Sequence, residues 1–392
     1  MPESLHSEAI APELQTGEVP VDRIATGPRP APLLPWHVRF GLSWSTGAVP
    51  VVLILLLGAA LGPEGLAVLT PGVLTVIDPV LPVAIAALGI LAGLELTRPT
   101  APGRWSLLGK ASLESLVTCA LVAVGVWLVM PVFPGVASAD LWLVALMAGL
   151  CASMSATMPD ADPDRLRPPV IRMRDLDALL PVAVGALILA FVHSFSLLSS
   201  LGLLVQTTIL ALLISTTAWL LLSDSSQNTE QRVFSIAALL LIGGIADYLS
   251  LSALAGGLIA GLFWGSVGGV ARDCVERDVR YLRHPLVVLM LLAAGAKTTF
   301  SGWILAFAFV YLLLRVAGKL IGGWLARRVP GVTIPDTAGP TLLPPGVFGI
   351  AFALDATSMM ESAAAVILAA TVLGSIGSQL LAALWHPAEA HE

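Results

Sequence analysis

Apolar runs long enough to cross a bilayer follow one another along almost this whole chain, from about residue 41 to residue 385. A hydrocarbon core ~30 Å thick takes about 20 such residues per helical crossing. Only 12% of the residues are charged and 57% are hydrophobic, against about 25% charged in an ordinary globular domain. The chain therefore reads as a polytopic α-helical membrane protein. About twelve spans of the required length can be marked: 41–62, 79–97, 107–130, 140–158, 175–195 and 201–222, then 232–249, 251–268, 284–300, 303–326, 338–356 and 361–385. The stretch 65–78 is apolar but punctuated by Pro71, Gly72 and Pro79, which leaves room for an extra short or re-entrant piece.

The connecting segments test that division. With the N-terminus inside and the loops alternating, the inside segments hold Arg23, Arg29, Arg39, Arg98, Arg104, Lys110, Arg165, Arg167, Arg172, Arg174, Arg232, Arg272, Arg277, Arg280, Arg283, Arg327 and Arg328. Only Lys297 falls outside, while Arg315 and Lys319 lie within a span. Lys and Arg collect in cytoplasmic loops, so both termini are expected in the cytoplasm of a cell whose inner (plasma) membrane holds the protein. Residues 1–38 are polar and proline-rich and lack the basic start and apolar core of a signal peptide. They read as a disordered tail, followed by a membrane domain over 39–386 and a short cytoplasmic tail over 387–392. Cys119 and Cys151 fall in apolar spans and Cys274 in a charged loop, so no disulfide framework is suggested.

Two of the spans are interrupted by proline near one end. The fourth, running through Met147, breaks at Met158-Pro159-Asp160; the eleventh breaks at Pro344-Pro345-Gly346. A broken helix frees carbonyls and amides that lipid cannot satisfy, so each break must face protein or a wet cavity. The two spans cross the membrane in opposite directions, as an inverted repeat demands, and paired interruptions of this kind point to a secondary transporter's ion site.

Charges within spans are costly, which directs attention to a few side chains. Asp175 and Asp177 open the fifth span. With a helix beginning near Pro169, Asp177 lies ~12 Å into it at 1.5 Å per residue, where a carboxylate can hold a cation or a proton in alternation. The other reading places the membrane at Ala178, with Arg172–Asp175 and Arg174–Asp177 as i,i+3 pairs on an interfacial turn. Lys319, in the tenth span beside Gly318, Gly322 and Gly323, is either the intramembrane partner of Asp177 or a snorkelling lysine; Arg315, one turn deeper, faces the same choice. Ser155 and Thr157 offer hydroxyls to a hard cation at the first break, or else bond to backbone. Glu95, Asp247 and Asp355 sit at span ends, where capping or solvation explains them. Asp160, Asp162 and Asp164 read as a solvated loop, and Glu114 as a lone carboxylate in the third span. There is no phosphate-binding glycine loop, nucleophile elbow or metal-spaced His or Cys set, so the chain does not read as an enzyme and implies no cofactor and no nucleic-acid partner.

Several segments, in order, resemble the cation:proton antiporter superfamily, which includes bacterial sodium/proton antiporters and potassium-efflux proteins. They are Leu-Gly-Pro-Glu-Gly-Leu (61–66), Leu-Gly-Ile-Leu-Ala-Gly-Leu-Glu-Leu (88–96), Asp-Tyr-Leu-Ser-Leu-Ser-Ala-Leu-Ala-Gly-Gly-Leu-Ile-Ala-Gly-Leu (247–262), Pro285 to Lys297, and Leu342 to Ala351. The resemblance covers about residues 50–385. It implies an all-α fold of inverted repeats with two crossed broken helices, a homodimer built on a scaffold, and a moving core. That core exchanges protons for Na⁺ or K⁺ by alternating access. It also implies that Asp177 is the ion-binding aspartate, that Lys319 is the lysine some electrogenic members pair with it, and that Ser155 and Thr157 belong to the ligand-bearing break. Three positions depart from the pattern: Leu176 stands where members carry Asn, Gln or Asp, and Pro345 and Val347 occupy positions where many carry a charged pair. A channel-like or sensory relative that keeps the fold without coupling is the alternative these departures raise.

Overall fold

The computed structural model describes residues 49–97, 104–133, 141–155, 169–194, 196–225, 227–334, 338–344, 346–357 and 360–385. The tails over 1–38 and 387–392 lie outside these residues. So do the aspartates 160, 162 and 164, Thr157, Met158, Pro159 and Pro345.

Every described element is helical. In chain order they are α1 (Val49–Leu61), α2 (Pro71–Ile77), α3 (Leu81–Thr97), α4 (Arg104–Val129), α5 (Leu141–Ser153), α6 (Pro169–Leu176), α7 (Leu179–Ser194) and α8 (Leu197–Asp224), followed by α9 (Asn228–Tyr248), α10 (Ala253–Val267), α11 (Gly269–Ala296), α12 (Gly302–Arg328), α13 (Ala338–Thr341), α14 (Val347–Thr357) and α15 (Glu361–Trp385). Among the described residues, eight helices are long and apolar enough to cross a membrane and four more are shorter but apolar, in line with the twelve spans expected.

Three details depart from the sequence reading. The stretch around Pro71 is no separate re-entrant piece: α2 passes through a 3₁₀ turn at Asp78–Val80 into α3, and Pro71–Thr97 forms one span. The charged segment Arg272–Arg283, expected as a loop, is the first half of α11. There, Glu276 pairs with Arg272 and Arg280 at i,i+4 spacing, the separation at which helical side chains face each other, so the charges support the helix. Its start is set by Gly268 and Gly269, with φ of 71° and 73°, a left-handed turn that glycine adopts without strain. Lys110, counted with the loop cations, is buried on α4. Its ammonium donates to the carbonyls of Ala326 and Val329, at 3.0 and 2.6 Å, closing the C-terminal end of α12.

The helices sort by their packing. α3 lies flat against α10, because a Cβ on Gly257 or Gly261 would overlap the carbonyl oxygen of Ala86 or Ile90. Small residues that let helix backbones approach this closely are a membrane substitute for hydrophobic burial. α1 and α9 join that pair through α11 and α3. A second set gathers α4, α5, α12 and α15, with α14 laid on α5 so closely that Gly349 faces the Cys151 carbonyl. α8 presents Leu201, Val205, Ile209 and Leu213 outward, one residue per turn, as a lipid-facing stripe requires. Its hydroxyls at Thr207, Thr208, Ser215 and Thr217 each donate to the carbonyl four residues back, which satisfies them without water. Among the candidate site residues, Glu114 and Lys319 lie on helices of this second set and Ser155 just beyond the end of α5.

Candidate ion site at the helix breaks

α5 ends at Ser153, six residues before Pro159, and Met154 and Ser155 follow outside any helix. The cause is competition for the backbone. The Ser153 hydroxyl donates to the Leu150 carbonyl at 2.8 Å. Lys319 donates to the Ser153 carbonyl, and Arg315 approaches the carbonyls of Cys151 and Met154 at 3.5 and 3.4 Å. Two cations at the C-terminal end of a half-helix also answer its partial negative charge. The break is thus written in charged partners more than in Pro159.

A further interruption separates α6 from α7 at Asp177–Ala178; sequence analysis had expected an unbroken fifth helix. Pro181 explains it. Proline has no amide hydrogen to give the carbonyl four residues back, and its ring crowds that carbonyl. The carbonyl concerned is that of Asp177, and the Ser115 hydroxyl of α4 takes it instead, at 2.8 Å.

These interruptions converge. The amide of Ser155, freed by the end of α5, donates to both carboxylate oxygens of Asp177, at 3.1 and 2.9 Å. The Ser155 hydroxyl donates to the carbonyl of Leu342 at 2.7 Å, in the gap between α13 and α14. The ammonium of Lys319 reaches Asp177 Oδ2 at 3.2 Å and Glu114 Oε1 at 3.1 Å. Asp177, Glu114, Lys319 and Ser155 are all fully buried. The Asp177 carboxylate thus lies among helices, away from bulk solvent. Asp175 is half-buried on the last turn of α6. Of the second break, Pro344 and Gly346 frame the gap, with Pro345 outside the described residues.

Glu114 is not the lone carboxylate it had looked. Besides Lys319 it accepts from Thr118 at 2.9 Å, and α12 presents Gly322 toward Glu114 and Gly318 toward Thr118. The signal was present in the sequence as two matching i,i+4 pairs, one polar on α4 and one of glycines on either side of Lys319. Asp355 was expected at a span end, and it is buried there. It accepts from the Ser252 hydroxyl at 2.6 Å and the Ala253 amide at 3.1 Å, capping α10 from α14.

No protein-family model matches the sequence, and no curated protein matches it. Among solved structures, the sodium proton antiporter MjNhaP1 from Methanocaldococcus jannaschii superposes with a TM-score of 0.59 over 89% of this chain and 98% of that one, at 16% identity. The chain has the antiporter fold. In that fold, the segment 247–262 gains a physical explanation. It holds the cap residue Ser252 and the glycines that seat α10 on α3, so the segment carries packing more than chemistry. The residues of the breaks are the ones that bring charge and freed backbone groups to one point of the antiporter fold.

Proposed function

We propose that this protein is a secondary active transporter that exchanges protons for a monovalent cation, Na⁺ or K⁺, with Asp177 holding each in turn. The observation that carries this reading is the setting of Asp177: a fully buried carboxylate held by the amide of a broken helix and by Lys319. Both partners are positive ends of dipoles or charges, and a cation arriving at the carboxylate takes over their role. The Ser155 oxygen and the Leu342 carbonyl it is bonded to lie beside it as hard oxygen ligands, the donor type alkali cations prefer. Thr157, Met158 and Pro159, expected in the same ligand-bearing segment, lie outside the described residues, and Asp175 stands two residues before Asp177. Lys319 competes with the cation for Asp177, and Arg315 keeps the carbonyl end of α5 neutral while it does so. Alternating access moves the second helix set against the first.

The remaining features belong to the same reading: a membrane domain over 39–386 between cytoplasmic tails, both termini inside, residence in the inner membrane, and a homodimer. A second reading, a relative without coupled transport, draws on Lys319 already filling the place of an ion and on Val347 in a position that carries a charge in many relatives. Proteoliposomes loaded with Na⁺ or K⁺ separate the two. Exchange predicts cation-driven proton flux in the wild type and none in Asp177→Asn. A cation gradient that moves no protons contradicts it.

A further inference from the structure

Three buried charges lie within one hydrogen-bond shell: Asp177, Lys319 and Glu114. The ammonium stands 3.2 Å from one carboxylate and 3.1 Å from the other, and all three side chains have no exposed surface. Arg315, the next charge along α12, faces the carbonyls of Cys151 and Met154 and balances the negative end of α5. With both carboxylates ionised and Lys319 protonated, the triad sums to one negative charge. One carboxylate would have sufficed to neutralise Lys319, so the second needs a reason, since each buried charge costs free energy unless it is compensated.

We propose that Glu114 sets the charge the site accepts. When ionised, it offsets Lys319 and leaves Asp177 with one uncompensated negative charge, so the buried cluster becomes neutral with one monovalent cation. The inference rests on Asp177 being the cation site. Glu114 is a positioning residue here: it is bonded to Lys319 and Thr118, and when the cation takes Asp177 it retains the ammonium together with the Ser153 carbonyl. A divalent ion would leave the buried cluster with a positive charge and is rejected for that reason. Without Glu114 a monovalent ion meets the same penalty.

The test is a charge-rescue series on the purified full chain in detergent at alkaline pH. Cation-induced thermal stabilisation is titrated with NaCl, KCl and CaCl₂ at constant ionic strength, because a ligand that binds only the folded state raises the melting temperature. The wild type is expected to respond to Na⁺ or K⁺ and not to Ca²⁺. Glu114→Gln is expected to need at least roughly tenfold more monovalent salt, as the loss of one buried counter-charge implies. The double variant Glu114→Gln/Lys319→Gln again carries one net negative charge and is expected to return close to the wild-type concentration. Lys319→Gln alone, with two, is expected to gain a response to Ca²⁺.

A double variant no better than Glu114→Gln overturns the proposal, because Glu114 would then be a direct ligand. An unchanged Glu114→Gln overturns it as well. If Glu114→Gln alone does not accumulate, the other two variants decide: a double variant without a monovalent response, or a Lys319→Gln protein blind to Ca²⁺, is the contrary result. A wild type that responds to neither Na⁺ nor K⁺ fails one step earlier and removes the cation-site reading itself.

Discussion

The backbone amide of Ser155 donates to both oxygens of the Asp177 carboxylate, tying the end of one broken helix to the break in the next. The same residue's hydroxyl reaches the Leu342 carbonyl, so one serine joins three interrupted segments. Ser155→Ala keeps the amide bond and leaves the Leu342 carbonyl unpaired in a buried place. A loss of about 1–3 kcal/mol is expected, the cost of an unsatisfied buried polar group. Thermal unfolding in detergent measures it, and Ser155→Thr, which keeps the hydroxyl, should lose less.

Removing Lys319 has a larger effect. Lys319→Ala leaves Glu114 and Asp177 facing each other without their shared cation, and breaking a buried ion pair from one side costs about 3–5 kcal/mol. The expected result is a strongly lowered melting temperature, partly recovered when Glu114→Gln is added. Non-additivity of this kind reports direct coupling between the residues.

Pro181 gives a prediction in which stability and function part company. Pro181→Ala restores the amide hydrogen that the Asp177 carbonyl lacks, and the helix gains a bond that Ser115 now supplies from outside. The variant should be at least as stable as the wild type and exchange more slowly, because Asp177 is drawn into regular helix. Equal exchange rates would mean that the break at Asp177 has no part in the cycle.

Asp355 links α14 to the N-terminus of α10 through Ser252 and Ala253. Asp355→Ala removes the acceptor from a buried hydroxyl and a buried amide, with an expected loss of about 1–3 kcal/mol. Asp355→Asn retains one acceptor oxygen and should fall between. Hydrogen exchange at the start of α10 is the local readout: faster in Asp355→Ala, and unchanged elsewhere in the α3–α10 pair.

Much of this was legible because the bilayer restricts the solutions. Length and hydropathy give the spans, and the cost of intramembrane charge singles out Asp177 and Lys319. What escaped depended on tertiary partners. Glu114 and Lys319 are 205 residues apart, and the pairs Glu114–Thr118 and Gly318–Gly322 mark each helix by itself without tying the carboxylate on α4 to the ammonium on α12. The first break was placed at Pro159 because proline is the visible helix breaker, whereas Lys319 and Arg315 end α5 earlier by taking its carbonyls. The interruption at Asp177 follows from Pro181 four residues on, which has no amide hydrogen to give its carbonyl. Lys110 looked like a loop cation for want of any sign that the end of α12 needed its ammonium.

The central claim is that proton and cation compete for one carboxylate, and the pH dependence of cation affinity in proteoliposomes tests it most directly. Below the pH at which Asp177 gives up its proton, each unit of acidification should raise the half-saturating cation concentration about tenfold, because one proton must leave for each cation bound; at higher pH the value should level off. A half-saturating concentration that stays constant as the pH falls, or an Asp177→Asn protein that still exchanges cations for protons, would contradict the account.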